Sequence, residues 1–442
     1  MFCRVTASRG SARITVHGSL FSLIRVTKWY LPKTLHPVLI GKWHFMQPRH
    51  SRTPGTPGTP GHTEPERHHM TPRRVAIVAG GRTPFIKSGK AFAEIDSLAM
   101  AVHATGGMLG RSGIDPELIE SVVFGTMTPD PLKPNLAREL VFEAGLPIDA
   151  EAHTVASYCI TGLRAVTVVA DAIAGGRIDV GLAGGVDSLT RASMDLFREP
   201  STGLTMGEHM ELTCKEWDIP RERQDEVALA SHRNAVAARE KLAGEIHPLL
   251  GEEADSGPRA DTSLEALAVL KPVFDPEHGT LTAGNSSPVT DGAGAVLLMS
   301  EEKAAECGLV PLAYIGGMAY AAHDPSEGLL MAPAISVPRL LASRNLSMED
   351  MDLVEIHEAF AAQALASAAA WESGWKGAPT GPVDWTRVNV NGSSIAVGHP
   401  WAATGTRILT TLANEMQRRD ARYGLVSICA AGAMAGAFLL ER

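Results

Sequence analysis

An α/β architecture of two similar halves, the first carrying a longer insertion, is what this 442-residue sequence predicts. Three observations predict it. Short apolar runs bounded by glycine alternate with Ala/Val-rich segments of helical length, the pattern of buried strands returning through helices. One unit recurs: Ser112-Gly-Ile-Asp-Pro-Glu-Leu-Ile-Glu-Ser-Val-Val-Phe-Gly125 shares its order of features with Arg344-Asn-Leu-Ser-Met-Glu-Asp-Met-Asp-Leu-Val-Glu-Ile-His357. Ile114 and Leu346 stand 232 residues apart, as do Val122 and Val354. Between the copies, residues 188–281 are charged and Met-bearing, unlike what flanks them.

Residues 1–70 form a basic extension. The first 63 carry nine Lys/Arg and no Asp or Glu, and they end in the repeat Thr53-Pro-Gly-Thr-Pro-Gly-Thr-Pro-Gly61, which cannot build a core. An organelle transit peptide has this character, which would mean a mitochondrial location; an upstream extension with Met70 as the working start, and a cytoplasmic location, is the favoured reading. The remaining chain has a net charge of about −18, which disfavours sequence-independent nucleic-acid binding. Five Cys (3, 159, 214, 307 and 429) with no CxxC pair argue for a reducing compartment and against disulfides or a zinc module.

In chain order, Val75-Ala-Ile-Val-Ala79 reads as a buried strand turning at Gly80-Gly81-Arg82-Thr83-Pro84, followed by a helix from about Ser97 to Leu109. Each recurring unit reads as a short helix feeding a strand. Cys159 leads into an Ala/Val-rich helix that stops at Gly175-Gly176. At a helix N-terminus the macrodipole favours an anion, so the thiol is expected to ionise more readily than usual. A free Cys is also among the most buried residue types, so position alone does not make it a nucleophile. A single helix is expected from Arg221 to Leu242, and Thr282 to Met299 reads as a turn and a buried strand.

Four short Gly/Ala-rich blocks adjoin apolar runs, the composition expected where backbone approaches a ligand. They are Cys159 and its helix; His357-Glu-Ala-Phe360; Asn391-Gly-Ser-Ser-Ile-Ala-Val-Gly-His399-Pro-Trp-Ala-Ala-Thr-Gly405; and Cys429-Ala-Ala-Gly-Ala-Met-Ala-Gly436. In this order they resemble the thiolase family, as do Val75 to Pro84, Met206-Gly207-Glu208 and Thr282 to Ala295. The resemblance spans about residues 73–442. The HEAF block with Cys-Ala-Ala-Gly near the end looks most like the fatty-oxidation thiolases and the trifunctional-enzyme β subunit.

The resemblance implies a five-layer αβαβα fold of two duplicated βαβαβαββ halves with an inserted loop domain. The boundaries it suggests are 71–187 with 282–303 for the first half, 188–281 for the loop domain that holds coenzyme A, and 304–442 for the second half. Residue by residue, it makes Cys159 the acylated nucleophile, His399 its base, and Cys429 the acid/base for the second substrate. His357 would hold the water of one oxyanion hole. The N–H groups of Cys159 and Ala431 could form the other donor set, while Ser287 and Arg259 match positions contacting the pantetheine and adenine of coenzyme A. Coenzyme A and acyl-CoA are then substrates, with no permanent cofactor and no metal. A homodimer or homotetramer is implied, as is association with a hydratase/dehydrogenase α subunit.

Such chemistry suits these residue types. A thiolate both attacks and leaves, so one cysteine can divide acyl transfer into two easier steps, and a histidine can take its proton. Thiolytic cleavage in fatty-acid β-oxidation is the leading reading. Biosynthetic acetoacetyl-CoA formation and non-catalytic acyl-CoA or partner binding are the alternatives, and a ketoacyl-synthase-type enzyme is disfavoured by Cys429. The chain departs from the family at Ser393, Ala433 and Ala435, where glycine is usual, and at Trp401. Where such a backbone has positive φ, a Cβ costs on the order of 1 kcal/mol.

Overall fold

The structure, a computed structural model, describes residues 72–442 and, apart from them, an antiparallel pairing of Ala7–Ser8 with Ser11–Ala12. The rest of the basic extension, its Pro/Gly repeat and the choice of start at Met70 lie outside the described residues.

The first half runs β1 (Val75–Arg82), β2 (Ile86–Lys87), α1 (Ser97–Ser112), β3 (Ser121–Gly125), α2 (Leu136–Glu143), β4 (Glu151–Val155), α3 (Thr161–Ala174) and β5 (Val180–Ser188). Then follow α4 (Met206–Glu216), α5 (Arg221–Ala237), α6 (Arg239–Ala243), α7 (Leu264–Ala268), β6 (Thr290–Ser300) and α8 (Glu301–Glu306). The second half runs β7 (Ala313–Ala322), α9 (Pro333–Ser343), β8 (Leu353–Ile356), α10 (Ala361–Ser373), α11 (Ser394–Val397), α12 (Trp401–Arg419), β9 (Tyr423–Ala430) and β10 (Met434–Glu441). The helix expected from Arg221 to Leu242 is two helices, broken where Ala238 leaves helical geometry at φ −88° and ψ 7°.

The strands follow one path, β8-β9-β10-β7-β1-β6-β5-β3-β4, with β2 beside β6. Among the described residues, strands of the two halves pair with each other only at Ala76–Tyr314 and Ile77–Ala313. The second half repeats the first strand for strand. β8, β9, β10 and β7 stand where β3, β5, β6 and β1 stand, with the same parallel first pair and antiparallel remainder. The counterpart of edge strand β4 shrinks to one parallel bridge, Val354 to Val388. The recurring unit lands in register: β3 begins at Ser121 and β8 at Leu353, the spacing read from the sequence.

Side chains alternate across each strand, and both faces of both sheets are covered, so the strands are continuously apolar. Val122, Phe124, Leu182 and Leu297 face α1 and α2, against Met100, Met108 and Leu140. Their neighbours Val123, Ala183 and Val296 point the other way and share one core with Val166 and Val169 of α3, Ile408 and Leu412 of α12, and Val426 and Phe438 of the second half. Beyond, Leu425 and Leu439 pack on Val337, Leu341 and Trp371 of α9 and α10. These cores define five layers, αβαβα, with α3 and α12 in the middle. The segment between β5 and β6 is pinned to the body by buried Arg82, whose guanidinium donates to Asp255 at 2.6 and 2.8 Å and to Glu245 at 3.0 Å. No helix among the described residues is long and apolar enough to cross a membrane.

The middle layer depends on two glycines. A Cβ on Gly162 of α3 would lie 2.6 Å from the Ala402 carbonyl oxygen, and one on Gly405 of α12 would lie 2.6 Å from the Leu163 nitrogen. Both obstacles are backbone, which cannot step aside. Gly162→Ala should therefore cost about 1–3 kcal/mol by overpacking, whereas Gly106→Ala in α1, exposed with nothing within 4 Å of its Cβ, should gain about 0.5–1 kcal/mol through helix propensity. Denaturant melts of the two variants check this; an unchanged midpoint for Gly162→Ala would refute the close approach.

Candidate active site

Cys159 lies in the 3₁₀ turn Tyr158–Ile160 that leads into α3. Tyr158 adopts φ +48°, unusual for a residue with a Cβ, and the turn is tied by Thr161: its Oγ1 donates to the Tyr158 carbonyl at 2.6 Å and accepts from the Ser157 N–H at 2.7 Å. His399 occupies the corresponding place before α12, between Gly398 at φ +113° and Pro400. Its backbone N–H donates to Thr290 Oγ1 at 2.8 Å. Because α3 and α12 abut, the two meet, with Nε2 of His399 3.2 Å from Sγ of Cys159. Nδ1 of His399 lies 2.6 Å from Thr404 Oγ1. For Nε2 to accept the thiol proton, Nδ1 must carry the ring proton and donate to that hydroxyl.

Protonation differs from the expectation based on the helix dipole. The backbone N–H groups of Ala431 and Cys159 are directed at the sulfur and favour a thiolate, yet burial outweighs them and pushes the thiol up to about 12, with the Asp187 carboxylate adding to the rise. Cys159 is partly open to the cavity, but protein surrounds its sulfur on most sides. Burial and, secondarily, the Arg407 cation push His399 down to about 3. The resting site is thus a neutral thiol beside a neutral imidazole.

His357 follows β8 and is fully buried, its ring centroid 4.1 Å from that of His399. Its Nδ1 lies 2.7 Å from Ser394 Oγ, while Nε2 is buried without a protein partner. Burial, then His399 and Arg407, hold this imidazole well below its usual range. Glu358 turns the other way, accepting from Ser231 Oγ at 2.7 Å, Asn389 Nδ2 at 2.6 Å and the Ile395 N–H at 3.2 Å, which anchors the block to α5 and α11. Cys429, near the end of β9, is buried, and burial pushes its thiol well above the usual range.

A largely apolar cavity of about 580 Å³ opens at this point. Cys159, His399, Cys429, Ala431 and Ser287 line it, so five of the seven residues singled out in the sequence converge there. Ser287 is held by its N–H to the Ala359 carbonyl at 3.0 Å, which docks its loop on the HEAF block. His357 lies behind His399 rather than on the wall. Arg259 is not brought in: it is exposed, outside the lining, with Asp261 3.9 Å away. The sequence has no metal-ligand spacing, but the fold gathers Cys159, His357 and His399 with ligating atoms within 4.8 Å of one another; these are the same thiol and imidazoles.

Asp187 was not legible as a site residue. At the end of β5 it is buried, and Oδ1 accepts from Thr126 Oγ1, the N–H groups of Met127 and Thr128, and Thr128 Oγ1, while Oδ2 accepts from the Ala402 N–H at 2.8 Å. It ties the loop after β3 to the first turn of α12, and so fixes His399 relative to the first half. A lone acid inside Val180-Gly-Leu-Ala-Gly-Gly-Val-Asp-Ser188 was the available signal. Of the departures from glycine, Ser393 is extended at φ −136° and Ala435 lies in β10 opposite Cys429, so neither is strained. Ala433 alone carries the cost, at φ +51°.

The neutral pair sets a pH signature. Below about 12 the thiol stays protonated and above about 3 the imidazole stays uncharged, so wild type and Cys159→Ala should show the same thiolate ultraviolet absorbance from about pH 5 to about pH 9. A near-neutral rise present only in wild type would mean a thiolate–imidazolium pair instead.

Known proteins share this sequence pattern and fold. The family model described as thiolase, N-terminal domain, matches residues 75–210 and 194–302, and that described as thiolase, C-terminal domain, matches residues 309–442. The chain is similar to a 3-ketoacyl-CoA thiolase of Pectobacterium carotovorum, 38% identical over 423 residues covering 83% of this chain and 96% of the relative. It is similar to a 3-ketoacyl-CoA thiolase of Escherichia coli, 39% identical over 424 residues covering 83% and 97%. Among solved structures it resembles the Bacillus anthracis acetyl-CoA acetyltransferase, with TM-score 0.78, 33% identity and coverage of 84% and 99%. It likewise resembles human mitochondrial 3-ketoacyl-CoA thiolase, with TM-score 0.76, 30% identity and coverage of 84% and 98%. With both family domains matched in order over nearly all the described residues, this chain belongs to the thiolase family.

Proposed function

We propose that the protein is an acyltransferase that cleaves 3-oxoacyl-CoA with coenzyme A, giving acetyl-CoA and a shortened acyl-CoA. The observation that carries this is the Cys159–His399 contact of 3.2 Å at the floor of an apolar cavity that Cys429 also lines. His399 takes the proton of Cys159 as sulfur attacks the 3-oxo carbon, so thiolate forms only when a substrate is present to receive it. The C2–C3 bond breaks, Cys429 protonates the departing carbon, and acetyl-CoA leaves a thioester on Cys159. The thiol of incoming coenzyme A gives its proton to the Cys429 thiolate and attacks that thioester. Cys159 leaves and recovers its proton from His399, restoring every group.

The N–H groups of Cys159 and Ala431 receive negative charge on one carbonyl oxygen, and His357 serves the other oxyanion. The loop domain, residues 188–281, carries coenzyme A, with Ser287 on the pantetheine and Arg259 outside the cavity on the adenine. The apolar lining, including Leu189, Leu196, Phe197 and Trp401, favours degradation of longer acyl chains over four-carbon synthesis. The same reading includes a homodimer or homotetramer and a hydratase/dehydrogenase α subunit.

Thiolysis of 3-oxoacyl-CoA substrates of graded length by the purified protein tests the activity; coenzyme A binding without turnover at any length would favour a binding protein. Cys159→Ala should abolish the acyl adduct seen as a mass increase, whereas Cys429→Ala should still acylate while turning over at least about a hundredfold more slowly. An acyl group mapped to Cys429 would reverse the two roles. Arg259→Ala should raise the Michaelis constant for coenzyme A with turnover nearly unchanged, since an exposed contact distant from the reacting atoms supplies only uniform binding. A fall in turnover at unchanged coenzyme A affinity would show that Arg259 is placed wrongly.

A further inference from the structure

Arg407, on α12, is a guanidinium only 1% exposed beneath the site, and the reaction as drawn gives it no task. Its Nη2 donates to Ser394 Oγ at 3.1 Å and, more weakly, to Ser393 Oγ at 3.4 Å; its Nη1 lies 3.8 Å from Glu355. Ser394 Oγ has one further partner, Nδ1 of His357 at 2.7 Å. A guanidinium can only donate. Ser394 therefore accepts from Arg407 and has a proton to place.

Two arrangements remain for His357. If Nδ1 carried the ring proton, it would donate to a hydroxyl oxygen already accepting from Arg407. The serine proton and the Nε2 lone pair would then both be buried without partners. If Ser394 instead donates to Nδ1, the only group left over is an Nε2–H beside His399 and Cys159. An additional unmade bond in a buried site is costly, so the second arrangement prevails. The nearby cation also disfavours a positively charged His357.

We infer that Arg407 and Ser394 together fix His357 as the neutral Nε2–H tautomer, so that it presents a donor toward the reacting thioester; Arg407 is thus a positioning residue for acyl transfer. His399 has the opposite tautomer, because Thr404 Oγ1 has no other donor competing for it and can accept from Nδ1. One site thereby holds two neutral imidazoles, one with a lone pair on Nε2 to take a proton and one with an N–H there to bind an oxyanion or its water. The inference rests on the function proposed above.

The test is a double-mutant cycle read with acetoacetyl-CoA and coenzyme A. Ser394→Ala should lower kcat by at least about tenfold with KM nearly unchanged, and Ser394→Thr, which keeps the hydroxyl, should restore most of it. In a His357→Asn background the same Ser394→Ala change should cost less than about twofold, because a carboxamide presents an N–H donor with no tautomer to select. Equal losses in both backgrounds would overturn the inference as a merely structural effect. Independently of activity, histidine 15N shifts assigned by difference against His357→Asn should show Nε2–H at neutral pH; an Nδ1–H signature would overturn it outright. If His357→Ala and His357→Asn both keep native kcat while the shifts show Nε2–H, the oxyanion role fails and the tautomer assignment stands.

Discussion

The backbone contact between α3 and α12 at Gly162 and Gly405 is the constraint on which the rest of this structure depends. Neither half contains a working site. The first supplies a thiol at the start of its central helix and the second an imidazole at the start of its own, and a contact without intervening side chains brings them to 3.2 Å. Gly185 of β5 extends the constraint, since a Cβ there would lie 2.0 Å from the Ala402 carbonyl oxygen. Asp187, two residues on, then accepts the Ala402 N–H. Strand, helix and loop are locked to one another within a few residues of Cys159 and His399, the rigidity that acyl transfer between fixed groups requires.

Burial governs the chemistry more strongly than the helix dipole does. Partial charges at the start of α3 fall off within a turn and cannot offset loss of solvent around the sulfur. A permanently ionised thiolate would be exposed to alkylation and oxidation, whereas a neutral thiol is ionised only as the reaction proceeds. The same low-dielectric setting raises the consequence of every hydrogen-bond choice beneath the site, because each unpaired atom there is costly. Glu355 reflects this environment: its carboxyl is pushed up to about 8 by burial, against the pull of Arg407.

Substitutions for family glycines are absorbed differently at each position. Ser393 uses its hydroxyl to donate to the Ile356 carbonyl at 3.0 Å, directly before His357, and its N–H to reach Ser231 Oγ at 3.1 Å. It replaces flexibility with a fixed bond. Trp401 gains an edge-on partner in Phe197, with centroids 5.0 Å apart, and together they wall part of the cavity. Ala433 has no such compensation and keeps a left-handed backbone next to Gly432 in the turn that places Ala431.

Much of this was legible in the amino-acid sequence because the information is local. The repeat from Ser112 to Gly125 and from Arg344 to His357 determined two like halves, since short helix-to-strand units are specified by turn residues and apolar spacing within a dozen positions. Gly175-Gly176 determined where the Cys159 helix stops, and three of the four small-residue blocks supplied Cys159, His399, Cys429 and Ala431 of the cavity lining. The tertiary structure alone decided what required distant neighbours. It brought Cys159 and His399, 240 positions apart, to 3.2 Å, buried both so that neutral forms are favoured, and broke the expected helix from Arg221 at Ala238. It also gave two charges that sequence analysis did not single out their buried partners, the Ala402 N–H for Asp187 and Ser394 Oγ for Arg407. A charge is tolerated in a core only when its partners are in place, and those partners come from strands and helices that sequence spacing does not connect.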